Sequence, residues 1–174
     1  MNGRRGEGAK MAQEFSFDVT SEVDMAEVKN AVEQAEKEIK NRFDFRNSKT
    51  KIDIEEKTLK VLSDDEFHLE TVVDVIRGKL AKRNVSLKSL EYGKIEAASG
   101  GAARQVITLK QGIPMEEAKK LVKAIKDAGI KANAQIQNEQ VRVSGKDKDA
   151  LQLVQNLIRK MEDLPFDVQF SNYR

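Results

Sequence analysis

No cysteine occurs in the 174 residues, and there is a single histidine. Disulfides, thiolate metal sites and multi-histidine cages are thereby excluded, and no metal or other cofactor is expected. Long apolar runs are also missing. No stretch approaches membrane-spanning length, and the N-terminus lacks the hydrophobic segment of a signal peptide, so a cytoplasmic location is expected. Nor does one sign of charge dominate: 31 Lys and Arg stand against 29 Asp and Glu, and setting aside Met1 to Lys10 leaves 28 of each. Proteins that hold nucleic acid through phosphates alone usually carry a basic excess, so such binding would have to come from local clusters. No acid–base pair stands out at a defined spacing, and the acid-rich helices read as solvated faces, which points away from an enzyme.

What is present is a 39% hydrophobic, 34% charged chain, enough for a modest core in one long domain or two short ones. Residues 1–11 read as a disordered leader, with three glycines and no apolar periodicity before a second start at Met11. Phe15, Phe17 and Val19 then alternate as a half-buried strand. Asp24 is placed to cap a helix from about Met25 to Asn41 with Met25, Val28, Val32, Ala35 and Ile39 on one stripe. A hairpin pairs Ile52 and Ile54 with Leu59 and Val61, and Ser63 is a candidate cap for a helix from Asp65 to Arg83. A strand is expected over Leu90 to Ile95. The small-residue connector 98–103 follows as a flexible seam. The remainder reads as a strand over Val106 to Leu109, a helix with Pro114 near its first position and Gly129 past its end, and a hairpin turning at Asn138-Glu139. A helix from Lys146 to Met161 and a strand from Phe166 to Phe170 complete it.

The two halves repeat. At an offset of 82 residues Leu59 falls on Val141, Leu69 on Leu151 and Ile76-Arg77 on Ile158-Arg159; at an offset of 90, Met25 and Val32 fall on Met115 and Val122. Eight extra residues therefore lie in the first half between its first helix and its hairpin. Each half reads βαββαβ, so the expected class is α+β: a tandem duplication of a ferredoxin-like unit over 12–97 and 104–174, with antiparallel sheets carrying two helices on one face. Such a fold does not fix function, and the glycine-aromatic signature of RNA-recognition modules is absent.

The extra residues coincide with the densest chemistry in the chain, Arg42-Phe43-Asp44-Phe45-Arg46. Taken as an extended segment, Phe43 and Phe45 would share one face and Arg42, Asp44 and Arg46 the other. Two readings fit. One is an edge strand whose rings finish the core; the other is a pocket in which arginines offer paired donors to phosphate or guanine edges and rings offer stacking faces. Lys110-Gln111-Gly112 precedes a helix N-terminus, where an anion is favoured, although a plain tight turn is the better explanation of so short a pattern. Ser144-Gly145-Lys146 lacks the flanking residues of a phosphate loop, and His68 reads as a surface residue.

From about Phe15 to Arg174 the chain resembles the YajQ family of small bacterial nucleotide-binding proteins. The residues that carry this are Ser21-Glu22-Val23-Asp24, Arg42-Phe43-Asp44-Phe45-Arg46, Leu109-Lys110-Gln111-Gly112-Ile113 and Ala134-Gln135-Ile136-Gln137, extended by Val141 to Lys146 and by Phe170 to Arg174. The resemblance implies two ferredoxin-like domains that exchange their first strands, here 15–19 and 105–110. It also implies binding of a guanine nucleotide or cyclic di-GMP in a regulatory, non-catalytic role. Arg42, Phe43, Phe45, Arg46, Lys110, Gln111 and Gly112 are the residues expected to meet the ligand. RNA and a transcription-related protein are the alternative partners.

Overall fold

The computed structural model describes residues 14–174, and the leader expected over 1–11 lies outside the described residues. In chain order the elements are β1 (Phe15–Thr20), α1 (Met25–Asn41), β2 (Lys51–Glu55), β3 (Thr58–Ser63), α2 (Glu66–Lys82), β4 (Leu90–Tyr92), β5 (Glu96–Ala97) and β6 (Ala103–Leu109). They continue with α3 (Met115–Asp127), β7 (Asn133–Gln137), β8 (Gln140–Gly145), α4 (Lys148–Arg159) and β9 (Gln169–Ser171). All strand pairings are antiparallel, in two sheets, so the class is α+β. Contacts divide the described chain into a unit over 23–111 and a unit made of 14–22 with 112–174.

In the unit 23–111 the sheet order is β2-β3-β6-β4, with β5 paired to the start of β6. The Asp24 carboxylate accepts from the N–H groups of Ala26 and Glu27, two of the donors a helix start leaves unpaired. From there the stripe Val28, Ala31, Val32, Ala35 and Ile39 is buried on α1 and meets Leu69, Val72, Val73, Ile76 and Leu80 of α2. Burial of each larger aliphatic side chain contributes roughly 1.5–3 kcal/mol. Asp65, not Ser63, caps α2, accepting from the His68 N–H at 2.7 Å. Ser63 is fully buried and bonded to the Thr50 hydroxyl, because it closes the β3 ladder instead of opening the helix.

The strand expected over Leu90 to Ile95 stops at Tyr92. Gly93 sets the limit: its N–H bonds the Val106 carbonyl at 2.8 Å, and a Cβ there would lie 2.9 Å from that same oxygen. The stretch 98–103, expected as a seam, folds inside this unit as the turn from β5 to β6. Gly100 and Gly101 there hold φ of 69° and 81°, a region costly for other residues.

In the other unit the order is β7-β8-β1-β9, and β1 lies between β8 and β9. Phe17 and Val19 point into a core of Leu121, Ile125, Val141, Val143 and Val154. Pro114 is the N-cap of α3 and not its first residue, and Met115, expected inward, is exposed. The last helix opens on its Asp147 cap, so it is shorter than the expected Lys146 to Met161. Phe166 is buried in the core and falls outside the final strand, where Phe170 stands opposite Val19. Its ring meets Phe17 edge-on at 5.5 Å.

Candidate functional site

The segment 42–46 is not a strand. After α1 ends, the Phe45 N–H bonds the Arg42 carbonyl and the Arg46 N–H the Phe43 carbonyl, forming one 3-10 turn over Phe43–Phe45. With about three residues per turn, side chains two apart leave on different sides. This corrects the expectation of two rings on one face. Phe45 is 5% exposed and joins the core, whereas Phe43 is 84% exposed. The arginines separate as well. Arg42 is held by Asp44 through a paired contact, Nε to Oδ1 and NH2 to Oδ2 at 3.0 Å each, which raises the guanidinium pKa and lowers that of the carboxyl. Arg46 instead lines a cleft.

That cleft, about 500 Å³, runs between the end of α1 and the start of β2. Its cations are Lys37, Lys40 and Arg46, its one carboxylate is Glu36, and Ser48 and Thr50 supply hydroxyls. Partial burial raises the Glu36 pKa, and the nearby Glu33 and Asp53 carboxylates add to the shift. The hydroxyl wall is braced. Ser48 Oγ bonds both Thr50 Oγ1, at 2.6 Å, and the Asp64 carboxylate, which also accepts from the Lys49 N–H at 2.9 Å. Burial alone would raise the Asp64 pKa, but these bonds outweigh it and hold it low. Chemically, the cleft presents three cations to an anion, the Ser48 and Thr50 protons being spent on Asp64 and Ser48, with an exposed ring on the adjoining turn.

His68 is more than a surface residue. Its Nδ1 faces the Asp65 carboxylate at 2.8 Å, and its ring meets Phe45 edge-on at 5.1 Å and Phe67 at 5.8 Å. Phe67 is 71% exposed. Sequence reasoning missed Phe67 and the lysines of the cleft. In a chain with so many charged residues, Lys37 and Lys40 carry no mark that separates them from solvated neighbours.

Lys110, Gln111 and Gly112 form a tight turn. The Lys110 N–H bonds Ser89 O at 2.7 Å, and the Gln111 amide reaches Val23 O at 3.5 Å. The Gly112 N–H bonds Ser21 O at 2.6 Å and is therefore not an open anion donor. Gly112 has φ +84°, and a Cβ there would meet the Glu139 side chain at 2.5 Å. A carboxylate at that point disfavours a phosphate. Glycine is required here by the backbone and by the close approach of Glu139.

A family model described as nucleotide-binding protein YajQ-like matches residues 15–174. A protein of Desulforamulus reducens named nucleotide-binding protein is 54% identical over 166 residues, covering 94% of this chain and 99% of its own. Proteins so named from Desulfitobacterium hafniense and Koribacter versatilis are 51% and 52% identical. They cover 94% and 91% of this chain, and 100% and 96% of their own.

Proposed function

The chain belongs to the YajQ family, and from that premise we propose that it is a non-catalytic nucleotide-binding protein whose ligand sits at the cleft beside the 42–46 turn. One observation carries the reading. Arg46, Lys37 and Lys40 converge on a cleft with a single carboxylate, Glu36, while Phe43 stands exposed on the adjoining turn. In this reading Arg46 and the lysines hold phosphate, and Phe43 offers a face to a base. Arg42 supports the turn through Asp44, and Phe45, buried in the core, contributes an apolar part of the cleft wall. The turn at Lys110, Gln111 and Gly112 has a secondary part, since the Lys110 and Gly112 N–H groups are engaged. The family resemblance favours a guanine nucleotide or cyclic di-GMP, and with it a regulatory role in the cytoplasm. The reading of the chain as two ferredoxin-like copies with exchanged first strands is supported by strand order. Both sheets follow one pattern when β6 stands in the first for β1 in the second.

Calorimetry with cyclic di-GMP and GTP tests the assignment. Arg46→Ala should weaken binding by about 1.5–3 kcal/mol, the usual worth of a charge-assisted contact, and Phe43→Ala by about 1–3 kcal/mol if the ring stacks. Unchanged affinity in both folded variants would remove the ligand from this cleft. RNA as the partner would show instead as an affinity that falls steeply with salt, because each phosphate contacted releases counterions.

A further inference from the structure

The unit made of 14–22 with 112–174 holds a second groove, about 560 Å³, between the start of β1, one side of α4 and the chain segment after β9. Its walls combine Phe15 and Tyr173 with the cations Lys148 and Arg174 and the amides of Gln152 and Gln155, and no carboxylate side chain lines it. A volume of several hundred Å³ suits a ligand of mononucleotide size. The groove is already shaped. Ser16 and Arg174 exchange backbone hydrogen bonds at 3.2 and 2.9 Å, which ties the last residues to β1. Gln155 Nε2 donates to the Tyr173 hydroxyl at 3.1 Å, which fixes the phenol. Lys148 Nζ lies 4.8 Å above the Phe15 ring.

Tyr173 is the informative side chain. Its ring is 63% exposed, yet it is held from behind by Phe17 at 6.1 Å with 32° between the planes, so one flat face is presented in a fixed orientation. A planar group can stack there with little loss of ring freedom. The electrostatics then select the rest of the ligand. The groove on the outer faces of α1 and α2, about 390 Å³, sets Glu38 and Asp74 among its cations, and Lys79 pairs with Glu38 at 2.9 Å. Lys148 faces no such carboxylate within its groove, whereas the charge of Arg174 is shared with Asp18, whose pKa it helps to lower. A fixed ring face, two cations and two amides within one small groove describe a receptor for a flat heterocycle carrying a phosphate.

We propose that this groove is a second nucleotide site. It stacks a purine base on Tyr173, which Gln155 holds in place, reads its edge with Gln152, and holds the phosphate with Lys148 and Arg174. The proposal rests on the nucleotide-binding reading above and adds a site in the other unit. Amide nuclear magnetic resonance on the full chain, titrated with GMP, tests it. Shifts are expected at Ser16, Lys148, Tyr173 and the side-chain amides of Gln152 and Gln155, and they persist in Arg46→Ala. Tyr173→Ala should weaken these shifts roughly tenfold or more. Lys148→Gln, a change on an exposed side chain, should weaken them without disturbing the rest of the spectrum. Shifts confined to the cleft of Arg46 overturn the second site and leave the first reading standing. Absence of shifts throughout, with GMP and with cyclic di-GMP, overturns both. Tighter binding of a single-stranded RNA hexamer than of GMP, with shifts running beyond the groove, overturns the assignment to a free nucleotide.

Discussion

His68 reaches back 24 positions along the chain to the 42–46 turn, its Nε2 3.2 Å from the Asp44 carbonyl oxygen. Its other nitrogen, Nδ1, lies 2.8 and 2.9 Å from the two Asp65 carboxylate oxygens. Both nitrogens thus face acceptors. Only the imidazolium can donate to both at once, and the pKa is raised accordingly, first by the Asp65 bond and then by the Asp65, Asp44 and Asp64 surroundings.

A pH dependence follows from this pairing. Because the folded-state pKa of His68 lies above its unfolded value, its contribution is full below about pH 6.5 and is lost as pH rises through the raised pKa. Asp65, whose pKa is lowered, stays ionised throughout that window. The stability difference between wild type and His68→Ala should therefore be larger near pH 6 than near pH 9, by roughly 0.3–1 kcal/mol for so exposed a pair. Denaturant midpoints at the two pH values measure it, and equal differences would mean that the imidazole is neutral in the fold.

The two rings of the turn should separate cleanly in stability. Phe45 is 5% exposed within the first core, so Phe45→Ala should cost about 3–5 kcal/mol through lost burial and the cavity left behind. Phe43, at 84% exposure, should tolerate alanine within about 0.5 kcal/mol. Urea unfolding of both variants checks this, and comparable losses would contradict the 3-10 geometry.

The same turn marks where sequence reading stops. Helix α1 came out at its expected bounds because an Asp24 cap and a seventeen-residue stripe both speak for it. Over five residues, an aromatic-charged alternation looks alike in a strand and in a 3-10 turn; the backbone bonds of the turn distinguish them, and the Phe45 contact with His68 holds the turn against the core. That contact joins parts of the chain far apart in sequence. The cleft had the same difficulty: Arg46 was visible beside Phe43, but Lys37 and Lys40 acquire meaning only once α1 sets them across from Ser48 and Thr50. Asp18 shows the reverse, a residue placed on the polar side of an alternating strand that proves to be 4% exposed.

Asp18 accepts from Arg142 Nε at 2.9 Å and NH2 at 3.3 Å, and from Asn172 Nδ2 at 2.9 Å. The Arg142 bond lowers its pKa, burial opposes, and Asn172 adds to the lowering. A carboxyl with a depressed folded pKa stabilises above its unfolded value of about 3.9, and that stability is lost as pH falls through the folded pKa. Asp18→Asn should cost about 1–3 kcal/mol at neutral pH and make acid unfolding less steep. Circular dichroism across an acid titration, compared with wild type, reads both effects; an unchanged acid limb would place the acid-sensitive carboxylates elsewhere.

The strongest pH signature in binding should come from Glu36. Burial raises its pKa, Glu33 and Asp53 reinforce the shift, and it is the one carboxylate lining a cleft whose other charges are Lys37, Lys40 and Arg46. Protonating it removes the only negative charge on the cleft wall, so an anionic ligand binds better to the protonated form and binding takes up a proton. Cyclic di-GMP suits the test because its phosphodiesters stay ionised across the range. His68 faces Asp65 and the Asp44 carbonyl and does not line this cleft. Wild-type affinity should rise roughly two- to fivefold as pH falls from neutrality through the raised Glu36 pKa, the worth of one partly screened charge. Glu36→Gln should bind more tightly than wild type near pH 7 and show a flat profile. A rise that persists unchanged in Glu36→Gln would assign the titrating group to a residue other than Glu36, and a flat wild-type profile would place the ligand away from this cleft.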